Sequence, residues 1–127
     1  RQISIEAEIS FVKLASYEGT SSTGEVQSLL GLSEDIKGRD IIIVEDIVDT
    51  GRSMTHLIGQ LSQQEPASIS LATLLVKPDA LLEPVEIKYR GFDIPNLFVV
   101  GYGLDYDGLG RNLPEIYQLH QTSGVHI

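Results

Sequence analysis

The sequence predicts an α/β fold built on an open, mostly parallel sheet flanked by helices. Residues 41–44 form a continuous β-branched run, which is typical of a strand buried on both faces of a parallel sheet. After an acidic turn, apolar residues from Met54 to Leu61 recur at helical spacing. A second apolar run follows at Ser68–Val76. A strand, a helix and a strand in this order predict a β-α-β crossover, whose two strands are parallel.

The first thirty residues predict two further strands. Apolar and polar residues alternate as in a half-buried strand, and the apolar set is Ile3, Ile5, Ala7, Ile9 and Phe11. Residues 17–24 are small, polar and interrupted by glycine, which predicts a mobile loop or a flexible hairpin tip. Val26, Leu29 and Leu30 predict a returning strand. A turn is expected at residues 37–39.

The second half of the chain predicts two more strands after the crossover. Lys77, followed by Pro78 and Asp79, closes the strand at Ser68–Val76. Residues 85–89 alternate apolar and polar side chains as in a short strand, and residues 98–102 form a further buried run. The segment beyond that run, which carries Asp105, Asp107 and Arg111, is expected to be a loop.

Length and composition indicate one domain, covering residues 1–127, in a soluble globular protein. Hydrophobic residues make up 42% of the chain and charged residues 21%, as in ordinary folded domains. The net charge of −9 repels nucleic acid and anionic membranes, so neither is an expected partner. The absence of cysteine suits a cytoplasmic protein. Because the chain begins at Arg1, within a structured pattern, we expect an upstream segment to be missing.

Charged residues follow the predicted strands at Glu45-Asp46, Lys77 and Asp105. Ligands of open α/β sheets bind beyond the carboxyl ends of the strands, so these groups are expected to converge. The turn at residues 49–53 opens a helix, and its free N–H groups predict a phosphate cradle. It lacks the GxxxxGK[ST] spacing of a nucleoside-triphosphate loop, and the acidic pair would repel a polyphosphate. A sugar diol with a divalent cation fits better.

Residues 41–54, IIIVEDIVDTGRSM, resemble the phosphoribosyl-pyrophosphate signature of the type I phosphoribosyltransferase family. The segments LLVKP, GFDIPNLFVVGYGLDYD and RNLPEIYQL resemble the hypoxanthine-guanine branch of that family, in order and at plausible spacing. The resemblance extends from about Ile9 to Leu119. It implies the family's fold and a purine-salvage enzyme. Such an enzyme transfers ribose 5-phosphate from phosphoribosyl pyrophosphate to hypoxanthine or guanine with Mg²⁺ and releases pyrophosphate.

The resemblance assigns roles to the first acidic segment. Glu45 and Asp46 would hold the two ribose hydroxyls, and such carboxylates also stabilise the positive charge of an oxocarbenium-like transition state. Asp49 would face ring nitrogen 7 of the purine as the general acid/base. The residues implied to bind the 5′-phosphate are Asp49, Thr50, Gly51, Arg52 and Ser53.

The resemblance also assigns the base site. Lys77 would donate to the 6-oxo oxygen of the purine, and Phe98 would stack on the ring. The backbone of Val99 would meet the exocyclic position of a guanine.

The remaining implied roles concern the leaving group. Asp105 would help to hold Mg²⁺, with Glu45 and Asp46 as further candidate ligands, and Arg111 would reach the pyrophosphate. Ser16-Tyr17, with the loop to residue 24, resembles the lid that closes over the reacting centre.

Plainer interpretations of the same residues stay open at this point. The acidic pair could be solvated, Asp49 could be a helix N-cap, and Lys77 could be a surface charge. Phe98 could belong to the core. Asp105 and Asp107 could be turn residues, with Arg111 paired to one of them.

Two further interpretations concern the whole protein. A non-enzymatic regulator could keep the phosphoribosyl-pyrophosphate pocket as a sensor, or the chain could be an inactive folded fragment. The family carries an upstream strand and a pyrophosphate-binding loop that this sequence lacks. A missing strand would leave its sheet neighbour unpaired, so we expect self-association into a homodimer or homotetramer.

Overall fold

The computed structural model describes residues 1–15 and 28–119. They form seven strands, one α-helix and a short 3₁₀ helix at Pro78–Ala80. In chain order these are β1 (Lys13–Ala15), β2 (Ser28–Leu30), β3 (Asp40–Val48), α1 (Arg52–Ser62), β4 (Ser68–Val76), β5 (Tyr89–Asp93), β6 (Val99–Val100) and β7 (Tyr117–Gln118). No helix of this described part is long and apolar enough to cross a membrane.

The central sheet is parallel and has the strand order β3-β4-β5. β3 and β4 pair from Asp40 opposite Ser68 to Val48 opposite Val76, and α1 forms the crossover between them. β5 adds to the other side of β4, from Tyr89 opposite Ala72 onward. The predicted α/β class and the parallel crossover are therefore confirmed. Two separate antiparallel pairs, β1-β2 and β6-β7, complete the described strands.

The core lies where α1 packs on the central sheet. Met54, Leu57 and Leu61 of the helix form one buried cluster with Ile43 of β3 and Leu71 of β4. Spacing of three and four residues puts the helix side chains on one face, as the sequence predicted. The prediction that β3 is buried on both faces was wrong.

The other face of β3 is open. Ile42 is 61% exposed and Val44 is 82% exposed, whereas Ile43 between them is buried. Successive side chains of a strand point to opposite faces, so the β-branched run is covered on one face only. Within the residues that the structure describes, this sheet face carries exposed apolar side chains.

The half-buried strand predicted over the first eleven residues is not formed. β1 begins only at Lys13, and Ile3, Ile5, Ile9 and Phe11 are all exposed. A segment with alternating apolar and polar residues forms a strand only where a neighbouring strand pairs with it. For residues 1–12, the described chain supplies no such partner. The returning strand is confirmed for Leu29 and Leu30, which lie in β2 and pair with β1, whereas Val26 lies outside the described residues.

Two strands of the second half differ from the prediction. Val85 and Ile87 lie outside β5 because they pack against the core cluster instead of pairing with β4. The run at residues 98–102 contributes only the two residues of β6. It ends there because Gly101, Tyr102 and Gly103 have φ angles of 99°, 52° and 94°, which turn the chain.

Candidate functional site

Lys77 and Asp49 meet at the carboxyl edge of the central sheet. β3 and β4 are parallel and end side by side, and the Lys77 N–H donates to the Val48 carbonyl at 3.0 Å. The Lys77 ammonium lies 3.0 Å from Asp49 Oδ2. Lys77 is only 6% exposed, so the surface-charge interpretation is wrong. A buried ammonium requires a partner such as this carboxylate, about half of which faces solvent.

The turn after β3 leads directly into α1. Gly51 is the helix N-cap, with φ 82°, and it provides no side chain to cap the first turn. Asp49 lies two residues earlier, so the interpretation of Asp49 as the N-cap is wrong. The Arg52 N–H lies 3.4 Å from Thr50 Oγ1, which is a long and weak contact. Backbone donors at the start of α1 are thus available to an anion.

The turn between β3 and α1 is hydrogen-bonded to the segment after β4. The Leu82 N–H donates to the Thr50 carbonyl at 2.9 Å, and the Glu83 N–H lies 3.3 Å from the same oxygen. A Cβ on Gly51 would meet the Glu83 carbonyl at 2.9 Å. Glycine is therefore required at this position by both the left-handed backbone and the close approach.

The acidic pair lies within β3 and not in the turn that follows it, which corrects the predicted strand end. Glu45 is half-buried and Asp46 is exposed. The Asp46 N–H donates to Glu45 Oε1 at 3.0 Å, and the Ile47 N–H donates to Asp46 Oδ1 at 2.7 Å. Burial, reinforced by the side chain of Asp46, raises the pKa of Glu45 to about 7. At neutral pH this carboxyl can therefore donate as well as accept hydrogen bonds.

A second group of charged residues occupies the loop between β6 and β7. Arg111 Nη2 lies 2.9 Å from Asp105 Oδ1, and Arg111 Nη1 donates to the Gly103 carbonyl at 2.6 Å. Asp105 Oδ2 also accepts from the Gly108 N–H at 2.8 Å. The interpretation that Arg111 pairs with an acid of this loop is confirmed, and the acid is Asp105.

Phe98 is held beside this loop. It is 48% exposed and therefore does not belong to the core, which corrects that interpretation. Its carbonyl accepts from the Leu119 N–H at 2.9 Å, and Val99 follows it in β6. The ring of Phe98 meets the ring of Tyr106 edge to face, with centroids 5.5 Å apart.

Tyr106 is a residue that sequence reasoning did not single out. The signal that could have placed it is Asp107-Gly108, since Asp-Gly favours a two-residue hairpin turn and fixes the residues on either side of it.

The predicted site residues thus form three local groups among the described residues. Asp49 forms an ion pair with Lys77, and Asp105 forms one with Arg111. Glu45 accepts a hydrogen bond from the backbone of Asp46. No cluster of three or more His, Cys, Asp or Glu that could hold a metal occurs in residues 1–15 and 28–119. The candidate metal ligands Glu45, Asp46 and Asp105 do not form such a cluster by themselves. Ser16 and Tyr17, the predicted lid, lie outside the described residues.

Residues 1–107 match the family model described as a phosphoribosyl transferase domain. A hypoxanthine-guanine phosphoribosyltransferase of Mycobacterium tuberculosis is 48% identical over 126 residues. That match covers 93% of this chain and 62% of the relative. The chain therefore spans less than two thirds of the length of this curated relative.

Solved structures agree with the fold. A crystal structure of a hypoxanthine phosphoribosyltransferase from Staphylococcus aureus has a TM-score of 0.82 at 42% identity, covering 92% of this chain and 64% of that chain. A Trypanosoma cruzi hypoxanthine phosphoribosyl transferase, studied for the role of its C-terminal region in oligomeric state and activity, has a TM-score of 0.79 at 34% identity. That match covers 89% of this chain and 58% of the T. cruzi chain.

Proposed function

The chain belongs to the phosphoribosyltransferase family, and from this premise we propose that its function is purine salvage. The reaction transfers ribose 5-phosphate from phosphoribosyl pyrophosphate to hypoxanthine or guanine and releases pyrophosphate. The observation that carries the proposal is the ion pair between Lys77 and Asp49, 28 residues apart in sequence and 3.0 Å apart beside the start of α1. It brings a hydrogen-bond donor and a proton acceptor to the edge of an anion-binding turn.

The base is proposed to bind at this ion pair. In a 6-oxopurine the oxygen and ring nitrogen 7 lie on the same edge, so adjacent lysine and aspartate side chains suit them. Lys77 donates to the oxygen, and Asp49 exchanges the proton at nitrogen 7 as general acid/base. Half of the Asp49 side chain is open to a ligand, whereas Lys77 is buried against the strand ends. Phe98 and the Val99 backbone are proposed to complete the base site.

The ribose 5-phosphate is proposed to lie along the turn from Asp49 to Ser53. The uncapped first turn of α1 supplies N–H donors for the phosphate, with the hydroxyls of Thr50 and Ser53 nearby in sequence. Glu45 and Asp46 hold the ribose hydroxyls. The negative charge on these two carboxyl groups also stabilises the positive charge that develops at the anomeric carbon.

Mg²⁺ is the proposed cofactor, and the donor set fits it. Asp46 is an exposed carboxylate and Asp105 a half-exposed one, and Mg²⁺ is usually held by one or two carboxylates together with phosphate oxygens of the substrate. A site of this kind does not require three clustered acids. Asp105 would help to hold the ion, with Glu45 and Asp46 as further candidate ligands, and the ion would neutralise negative charge on the leaving diphosphate. Arg111 is proposed to bind the same diphosphate.

The proposal also includes the assembly and the location of the protein. The exposed apolar face of β3 supports self-association as a homodimer or homotetramer. Light scattering at several concentrations tests it, and a monomer at all of them would contradict it. The absence of cysteine supports a cytoplasmic location.

The test is an assay with phosphoribosyl pyrophosphate, Mg²⁺ and one base at a time: hypoxanthine, guanine, xanthine, adenine or orotate. Nucleotide formation is followed by chromatography. We expect product from hypoxanthine or guanine, and none from orotate. Binding of nucleotide without any turnover would favour the regulator that senses phosphoribosyl pyrophosphate, or the inactive folded fragment. Product from adenine or orotate alone would overturn the proposed substrate class.

A further inference from the structure

The Tyr106 ring is the immediate neighbour of the Phe98 ring. The two centroids are 5.5 Å apart, and the ring planes are inclined at 79°. This edge-to-face arrangement is favourable because the positive edge of one ring meets the negative face of the other. A rotation of the Phe98 ring would lose that alignment. The contact therefore selects one orientation of a side chain that is otherwise about half exposed.

The backbone of Tyr106 is itself held firmly. Tyr106 and Leu109 exchange two hydrogen bonds of 2.9 Å each, which closes a two-residue turn. The turn residues, Asp107 and Gly108, have φ angles of 50° and 78°, as a type I′ turn requires. The Gly108 N–H is also bound by Asp105. Tyr106 thus projects from a locally fixed turn, whereas Phe98 lies immediately before β6 with about half of its side chain exposed.

We propose that Tyr106 is a positioning residue that orients the Phe98 ring for stacking on the purine base. This inference rests on the proposed function, in which Phe98 stacks on the base. Tyr106 acts through Phe98, so its loss weakens the interaction with the base and leaves the ribose 5-phosphate contacts at α1 unchanged. Its hydroxyl is not needed for this role, because the ring alone makes the contact.

The test compares Tyr106→Leu with Tyr106→Phe, which keeps the ring. Calorimetry measures the affinity of the whole chain for guanosine 5′-monophosphate and for ribose 5-phosphate, which lacks the base. We expect Tyr106→Leu to weaken nucleotide binding about threefold to tenfold, the range of one aromatic pair, without changing ribose 5-phosphate binding. Tyr106→Phe should bind both ligands like the unchanged chain. Tyr102→Leu, at an exposed tyrosine of the same loop, is the matched control and should also leave both affinities unchanged.

A second measurement needs no ligand. Nuclear magnetic resonance should show nuclear Overhauser effects between the ring protons of Phe98 and the ring protons of the residue at position 106, both in the unchanged chain and in Tyr106→Phe. Equal losses for both ligands, or a Tyr106→Phe variant that behaves like Tyr106→Leu, would overturn the positioning role alone. An unchanged chain that binds ribose 5-phosphate but no purine nucleotide would overturn the proposed function, together with the role of Phe98 on which this inference depends.

Discussion

Lys77 is the residue whose environment departs most from the ordinary behaviour of its type. Lysine is almost never fully buried without a partner, and here Asp49 supplies one at 3.0 Å. The half-exposed partner leaves room for a ligand to share the ammonium. A hydrogen bond to a charged group contributes about 1.5–3 kcal/mol.

The first prediction concerns Lys77→Met, which keeps the length of the stem and removes the charge. Binding of guanosine 5′-monophosphate should weaken about tenfold to a hundredfold, because the purine oxygen loses its charged donor. Binding of ribose 5-phosphate should change much less. Calorimetry with both ligands measures the difference. Lys37→Met, in an exposed ion pair with Glu65, is the matched control. Equal losses for the two ligands would count against this role.

A second prediction concerns Glu45 and pH. Its pKa is raised to about 7 in the folded chain, from 4.5 for an ordinary glutamate, so between these values the folded state binds more protons than the unfolded state. The contribution of Glu45 to stability therefore falls as pH rises from about 5 to about 7. Glu45→Gln removes this dependence. Its melting temperature should gain on that of the unchanged chain as pH rises from 5 to 8. A difference that stays constant over this interval would contradict the prediction.

At the residue level, the motifs identify candidate site residues but not their surroundings. Asp49, Lys77, Asp105 and Arg111 were all identified from motifs, and the structure brings them together in pairs. The Asp107-Gly108 turn could have placed Tyr106, but not its edge-to-face contact with Phe98. Burial of Lys77 was not predictable, because it depends on neighbours that are distant along the chain, such as Asp49, 28 residues earlier. Those distant neighbours are set by packing and not by local spacing.

At the level of elements, glycines decide where the chain can turn near the site. Gly101 and Gly103 both have φ angles in the left-handed region, 99° and 94°. Their surroundings differ. A Cβ on Gly101 would collide with the Glu115 carbonyl, whereas a Cβ on Gly103 would meet nothing within 4 Å.

The third prediction compares Gly101→Ala with Gly103→Ala. The Gly103 variant should lose about 1–2 kcal/mol of unfolding free energy, the cost of a left-handed non-glycine residue. The Gly101 variant should lose clearly more, because its side chain also separates the loop from the segment before β7. Urea denaturation followed by circular dichroism measures both. Equal losses would show that the close approach to Glu115 contributes nothing to stability.

Helices and strands were predictable where their residue pattern depends only on the segment that forms them. β4 matches the predicted run from Ser68 to Val76, and α1 follows the spacing of its apolar residues. The pattern failed where it depends on a neighbour. Residues 3–11 alternate correctly, yet no neighbouring strand among the described residues pairs with them, and Val85 packs against the core. Alternation reports which face a residue would occupy, not whether a partner exists.

At the level of the whole molecule, the open surface of the central sheet is the dominant feature. In the described sheet β3 is an edge strand, and Ile42 and Val44 are exposed on one of its faces. Parallel sheets are normally covered on both faces, so a further layer is expected to complete this one. The curated M. tuberculosis relative extends beyond the matched region, since the chain spans 62% of its length.

The last prediction joins these two observations. The proposed phosphate turn and the proposed base site consist of residues that the chain contains, so the 127-residue chain should bind guanosine 5′-monophosphate. Turnover needs the diphosphate held as well, and an open β3 edge leaves that side of the site poorly supported. We therefore predict that a version extended with the unmatched part of the M. tuberculosis relative forms nucleotide much faster, while the two bind nucleotide with similar affinity. Calorimetry and the hypoxanthine assay, run side by side on both proteins, measure this. Equal rates of nucleotide formation would contradict the prediction, because turnover would then not require the edge and the outer face of β3 to be covered.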